Sequence, residues 1–231
     1  MKKTHVKSLM FVLATLLLSG SLFAQAGTIK GAVKFNGTPP PVAALKRQAD
    51  PFCAKTQMKD ETVLVNANGT LKNVAVRIKG VVAGAAAAAT PSVTVDQNNC
   101  MYRPRVTVMA PGQKLLVKNS DPVLHNVHCY QETKTCFNQA QMKGAKDIEK
   151  DLGAGVYKMK CDVHPWMTGY VIANENPFVA VTGDAGDFTL SNVPAGTYTV
   201  EAWHEKYGMQ TAQVTVTAGA TATADFTFAG Q

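Results

Sequence analysis

Beyond residue 26, hydrophobic positions recur at every second place along the chain, broken at short intervals by Gly, Pro and Asn, which predicts β-strands throughout. Ile29, Gly31, Val33 and Phe35 share one face of an opening strand that ends at Asn36-Gly37 and the Pro39-Pro40-Pro41 breaker. Val63 and Val65 precede an Asn68-Gly69 turn, after which Val74, Val76 and Ile78 alternate. The Ala-rich tract at 84–89, flanked by Gly84 and Pro91, reads as a low-complexity loop. A second block begins near Val93: Val106 and Val108 alternate, Pro111-Gly112 turns, and Leu115-Leu116-Val117 reads as a buried strand. Asn119-Ser120-Asp121-Pro122 is a turn cluster, and residues 123–130 are extended again. Residues 134–152 are mostly polar, with a charge run at 147–151, and predict a loop or a short helix before the 156–161 strand. From Phe178 onward, Phe188 with Leu190, Tyr198 with Val200 and Ala202, Val214 with Val216, and Phe226 with Phe228 describe a small antiparallel sandwich.

The first residues break this pattern. Lys2, Lys3 and Lys7 precede an apolar run at 9–18 and then Phe23-Ala24-Gln25-Ala26, the form of a secretory signal peptide cleaved after Ala26. The run is short for a bilayer span, and no later segment is longer, so no membrane span is expected after cleavage. A periplasmic or secreted protein follows. Cleavage removes three lysines and no acid, lowering the formal charge from +7 to +4. With no dense Lys/Arg block, nucleic-acid binding has little support, whereas an acidic protein partner is compatible.

All five cysteines, Cys53, Cys100, Cys129, Cys136 and Cys161, lie beyond the signal segment. Exported thiols oxidise, and an odd number leaves one unpaired. Metal ligation of Cys161 would account for it and leave four cysteines for two bridges. Three pairings are open; closeness in sequence favours Cys53–Cys100 with Cys129–Cys136.

Cys161 opens the run Cys161-Asp162-Val163-His164-Pro165-Trp166-Met167, and His125 lies upstream in Leu124-His125-Asn126-Val127-His128. A thiolate, two imidazoles and a thioether are the donors of a blue-copper site, a trigonal His₂Cys arrangement with a weak axial Met. Cys-x-x-His alone also serves as half a zinc site, but zinc takes a tetrahedral Cys/His set and has no use for Met167. The candidate ligands are therefore His125, Cys161, His164 and Met167. His128, three positions after His125, points to the opposite face of an extended strand and reads as structural or surface. His204, in Ala202-Trp203-His204-Glu205, reads as a satisfied surface histidine.

Around these donors, residues 93–176 resemble the cupredoxins, in particular the amicyanin and pseudoazurin group. The matching residues are Pro111-Gly112, Asn119 to Asp121, His125-Asn126-Val127-His128, Gly155-Val156-Tyr157 and Cys161-x-x-His164-Pro165-x-Met167. The polar stretch at 143–151 departs from the usual alternating strand. The resemblance implies a Greek-key sandwich with one type 1 copper on His125, Cys161, His164 and Met167, and with Asn126 tying the two ligand loops together. It further implies that electrons leave through His164, beside Pro165 and Trp166, at an exposed apolar patch, toward a redox protein such as a c-type cytochrome or a dehydrogenase.

The flanks resemble the carboxypeptidase regulatory-like sandwich, also described as a carbohydrate-binding-like fold. Gly186-Asp187-Phe188-Thr189-Leu190, the run from Val193-Pro194 to Val200, Lys206-Tyr207-Gly208 and the opening at 27–41 carry that likeness. The expected architecture is all-β, a cupredoxin sandwich plus a second small antiparallel sandwich. Its divisions are a signal peptide at 1–26, a β segment of a split sandwich at 27–92, the cupredoxin at 93–176 and the closing sandwich at 177–231. Three β units in a row are the simpler alternative. A carbohydrate partner is implied only by analogy of fold.

The function expected is that of an exported single-electron carrier and not an enzyme, because a filled copper site leaves no place for substrate. The four histidines left after export are too few for a multicopper oxidase. Two other readings compete. One is an extracytoplasmic carbohydrate- or protein-binding module with a secondary copper site. The other is copper storage, which the nine scattered methionines oppose.

Overall fold

The computed structural model of the chain describes residues 25–85 and 90–230. The signal segment expected at 1–26 therefore lies outside the described residues up to Ala24, as does most of the Ala-rich tract, at 86–89. No helix among the described residues is long and apolar enough to cross a membrane.

The regular structure of the described residues is β apart from one 3₁₀ turn at Cys53–Lys55, as the alternating pattern predicts, with residues 37–74 otherwise held by isolated bridges. β1 (Gly27–Asn36) and β2 (Ala75–Ile78) are followed by β3 (Ser92–Gln97), β4 (Tyr102–Arg103), β5 (Val106–Met109) and β6 (Lys114–Asn119). Next come β7 (His125–Gln131), β8 (Lys134–Gln141), β9 (Ile148–Lys150), β10 (Gly155–Lys160) and β11 (Thr168–Ala173). The closing strands are β12 (Val179–Val181), β13 (Asp187–Val193), β14 (Gly196–His204), β15 (Gly208–Val216), β16 (Thr221–Thr223) and β17 (Phe226–Ala229).

Strands β3 to β11 pair among themselves, in sheets ordered β4-β3-β6-β9 and β5-β11-β10-β7-β8. β1 and β2 instead pair with the C-terminal strands. One sheet runs β13-β1-β16 with β17 also on β1, and the other runs β12-β2-β14-β15. The second sandwich was expected to be antiparallel, yet β1 runs parallel to β16 and β17. A strand that leaves the chain's start and returns between late strands has no hairpin to set its direction.

Burial follows the two-residue period. Ile29 and Val33 of β1 are buried and join Leu71, Val76, Phe188, Val200, Phe226 and Phe228 in one core. Gly31 lies where the chain crosses closest: a Cβ there would stand 1.8 Å from the Ala224 carbonyl oxygen, so no larger residue fits without moving backbone. A second core gathers Val95, Leu115, Val117, Val127, Met159 and Val171 beneath the other two sheets. A third cluster of Ala75, Val106, Tyr170 and Ile172, with Trp203 packed on it, joins the two sandwiches. Arg105 and Glu205 form a buried ion pair across the same junction.

Two expectations fail here. Residues 134–152 contain β8 and β9 where a loop or short helix was predicted. β8 lies at a sheet edge and is exposed along most of both faces, so it needs no alternating pattern, and its pairing to β7 alone fixes it. His204 is buried instead of exposed, stacked on Tyr207 with its Nε2 lacking a partner.

Candidate metal centre

β7 and β10 are antiparallel neighbours, with Lys160 opposite His128, so the start of β7 and the end of β10 meet at one end of the five-stranded sheet. His125 opens β7, and Cys161 follows β10 directly. The loop at 161–167 returns to β11 through a tight turn in which the Met167 amide donates to the His164 carbonyl at 2.9 Å. Strand pairing therefore brings together donors that lie far apart in sequence. His125 Nδ1 lies 2.9 Å from His164 Nδ1, and the Cys161 sulfur lies 3.7 Å from His164 Nδ1.

The three donor atoms all lie within 4.8 Å of one another, and all three side chains are buried. Met167 is fully buried in the same core cluster as Cys161. A thiol and two imidazole nitrogens turned toward one point suit a borderline or soft transition-metal ion better than calcium or magnesium, which take oxygen donors.

Asn126 stitches the loop to the strand. Its side-chain oxygen accepts from the Asp162 amide at 2.6 Å, and its side-chain nitrogen donates to Asp162 at 2.9 Å and to Asn138 at 2.8 Å. His128, on the opposite face, contacts the Asp162 carboxylate at 3.0 Å and stacks on Tyr130.

The outer nitrogens of both histidines meet carboxylates. His125 Nε2 lies 2.9 Å from Asp121, and His164 Nε2 lies 3.2 Å from Asp50. Burial pushes His125 down, but hydrogen bonds and charge from Asp121 and Cys161 overcome it and lift its pKa to about 8. Burial likewise raises Asp121, and the bonds from His125 and the Cys100 and Asn99 amides outweigh it and hold the carboxyl below its ordinary value. Cys161 follows the same logic: burial raises the thiol, but His125 and the Asn126, His164 and Val163 amides pull it down toward thiolate. His164 is lowered, first by burial, with Asp50 opposing and the nearby charge of His125 adding to the depression.

Asp121 was legible only as part of a turn, although its place four residues before His125 is a usable signal. Asp50 carries none beyond its closeness to Cys53.

The Cys53–Cys100 bridge is formed. The expected Cys129–Cys136 bridge is not: both are free, Cys129 buried and Cys136 exposed. Cys129 pairs with Phe137, and Cys136 occupies the extra position of a register shift beside it, exposed yet with its thiol next to that of Cys129. Burial, then the neighbouring Cys136, push the Cys129 thiol well up. The expected exit also needs correction, because His164 is only 1% exposed. The segment around Asp50 covers it: Arg47 donates to the Asn99 carbonyl and lies over the Trp166 ring, whose Nε1 donates to the Cys100 carbonyl at 3.1 Å. Pro165 stays exposed, and Trp166 is half-buried with its ring 5.1 Å from His164.

Comparison with known proteins adds two likenesses. The sequence model of the carboxypeptidase regulatory-like domain matches residues 169–229, beginning earlier than the expected boundary at 177. The search of curated proteins found no match. Among solved structures, the chain is similar to a purple cupredoxin from Nitrosopumilus maritimus, at 24% identity and TM-score 0.32, over 37% of this chain and 100% of that one. It is similar to amicyanin from Paracoccus versutus at 21% identity and TM-score 0.33, over 43% and 97%. It is also similar to a Cu-containing nitrite reductase from Thermus scotoductus SA-01 at 21% identity and TM-score 0.34, over 42% of this chain and 25% of that one.

Proposed function

We propose that this chain is an exported type 1 copper electron carrier, in which His125, Cys161 and His164 are the strong ligands of one copper ion and Met167 the weak axial one. The observation that carries the reading is the meeting of two imidazole Nδ1 atoms and one thiol sulfur within 4.8 Å in a buried site built from separate strands. Copper bound there supplies a one-electron Cu(II)/Cu(I) couple.

The chain supplies the rest. The 161–167 turn holds Cys161 and His164 at a fixed spacing, and the amides around the sulfur favour its thiolate. Asn126 locks the loop to β7, so the donors keep one arrangement whichever oxidation state they serve. Burial keeps water and small molecules from the donors, which supports electron transfer over catalysis on a bound substrate.

Since His164 is covered, electrons pass along the half-buried Trp166 edge beside Pro165. The partner is a second redox protein, such as a c-type cytochrome or a dehydrogenase, and the basic leader at 1–26 supports a periplasmic setting. The pairing of β1 and β2 with the C-terminal strands supports one carboxypeptidase regulatory-like sandwich with the 93–176 unit inserted in it. Voltammetry of the copper-loaded protein should give one reversible one-electron wave, and stopped-flow mixing with a reduced c-type cytochrome should give rapid exchange. A wave with no exchange would favour a binding module with a secondary metal site.

A further inference from the structure

The two carboxylates behind the histidines are held by one covalent device. Asp50 Oδ1 accepts from the Phe52 amide at 2.8 Å and the Cys53 amide at 3.0 Å, while its Oδ2 faces His164 Nε2. Asp121 Oδ1 accepts from the Asn99 amide at 2.8 Å, and its Oδ2 accepts from the Cys100 amide at 2.7 Å while facing His125 Nε2. Cys53 and Cys100 are the two ends of the disulfide. The bridge thus links the amide that anchors one carboxylate to the amide that anchors the other.

Asn99 and Cys100 both adopt positive φ, 53° and 51°, a conformation that costs non-glycine residues about 1–2 kcal/mol each. Both of their amides bond Asp121, so the strained pair serves that carboxylate. Asp50 depends on the bridge more heavily, since 114 residues separate it from His164.

We propose, building on the copper reading above, that Asp50, Asp121 and the Cys53–Cys100 bridge act as one positioning frame. The frame turns both Nδ1 atoms inward and favours the oxidised ion over the reduced one. The chemistry is that of a carboxylate behind a ligating imidazole: it fixes the proton on the outer nitrogen, leaves the inner lone pair free and makes it a stronger donor. Two negative charges near the centre, Asp121 buried and Asp50 half-buried, also stabilise the more positive ion more strongly.

The test compares the wild type with Asp50→Asn, Asp121→Asn, Cys53→Ser/Cys100→Ser, and that double variant carrying Asp50→Asn. Each Asn variant should shift the Cu(II)-to-Cu(I) affinity ratio about tenfold toward Cu(I), a rise in potential of about 59 mV for one electron. The bridge-free protein should rise as well, and adding Asp50→Asn to it should change nothing more, because the two act through one contact. Asp50→Glu should recover part of the loss. A copper-free readout judges the frame separately: ring ¹⁵N signals of His164 at alkaline pH should show the proton on Nε2, and a mixture of tautomers in Asp50→Asn. A blue wild type whose potential and His164 tautomer ignore both Asn variants overturns the frame and leaves the copper reading standing. A wild type that never turns blue overturns the copper reading, while the tautomer result still decides whether the frame positions His164.

Discussion

His164 Nε2 stands 3.2 Å from Asp50 Oδ2, and that contact closes a loop of the N-terminal segment over the centre. It explains why a histidine on a turn between two strands is buried. Diethyl pyrocarbonate should therefore modify the partly exposed His128 in the metal-free protein and spare His164. After Cys53→Ser/Cys100→Ser, His164 should become reactive; fast modification of His164 in the wild type would contradict the cover.

Asn126 joins the ligand loop to β7 through two hydrogen bonds with Asp162, and a third ties it to Asn138 of β8. Asn126→Ala should cost about 1–3 kcal/mol, since groups shaped for those bonds lose their partner. Urea denaturation of the metal-free protein measures it, and an unchanged midpoint would show that the loop holds itself.

Cys136 is exposed, whereas Cys129 and Cys161 are buried. Ellman's reagent should react quickly with one thiol per folded metal-free chain, and Cys136→Ser should abolish that phase. No fast thiol in the folded wild type would mean that Cys136 is engaged after all.

His204 is buried beside Arg105 and Lys206; burial first, then those charges, lower its pKa to about 4. A histidine depressed on folding is neutral in the native state and takes up a proton on unfolding at any pH between its two values. The stability it allows is fully present above about 6.5 and is lost as pH falls toward 4, on the order of 3 kcal/mol in all. His204→Gln should flatten the stability-against-pH curve in that window, and an unchanged slope would assign the acid sensitivity elsewhere.

Arg105 and Glu205 are each 6% exposed and join the two sandwiches. Arg105→Met should destabilise by about 3–5 kcal/mol, because Glu205 is left buried without its partner. Thermal unfolding by calorimetry checks this, and Arg105→Met/Glu205→Leu should recover much of the loss.

Strands with one buried face were legible because burial imposes a two-residue period, as in Ile29 and Val33 or Phe226 and Phe228. β8 was not, because an edge strand wet on both faces has no such period. The cluster of His125, Cys161 and His164 was legible because Cys161 and His164 share one short turn and all three carry metal-binding side chains. Asp50 was invisible: its role arises from a loop folding back across the chain, and only the Cys53–Cys100 pairing hinted at it. Sequence closeness put Cys129 and Cys136 side by side, as they are, but the two thiols stay unbonded across a register shift.

The most direct test of the central claim is the visible and EPR spectrum of the purified protein titrated with Cu(II). A type 1 site should saturate at one copper per chain, with an intense thiolate-to-copper band and narrow copper hyperfine splitting, both lost in Cys161→Ser. A colourless product with ordinary square-planar copper signals, unchanged in Cys161→Ser, would contradict it.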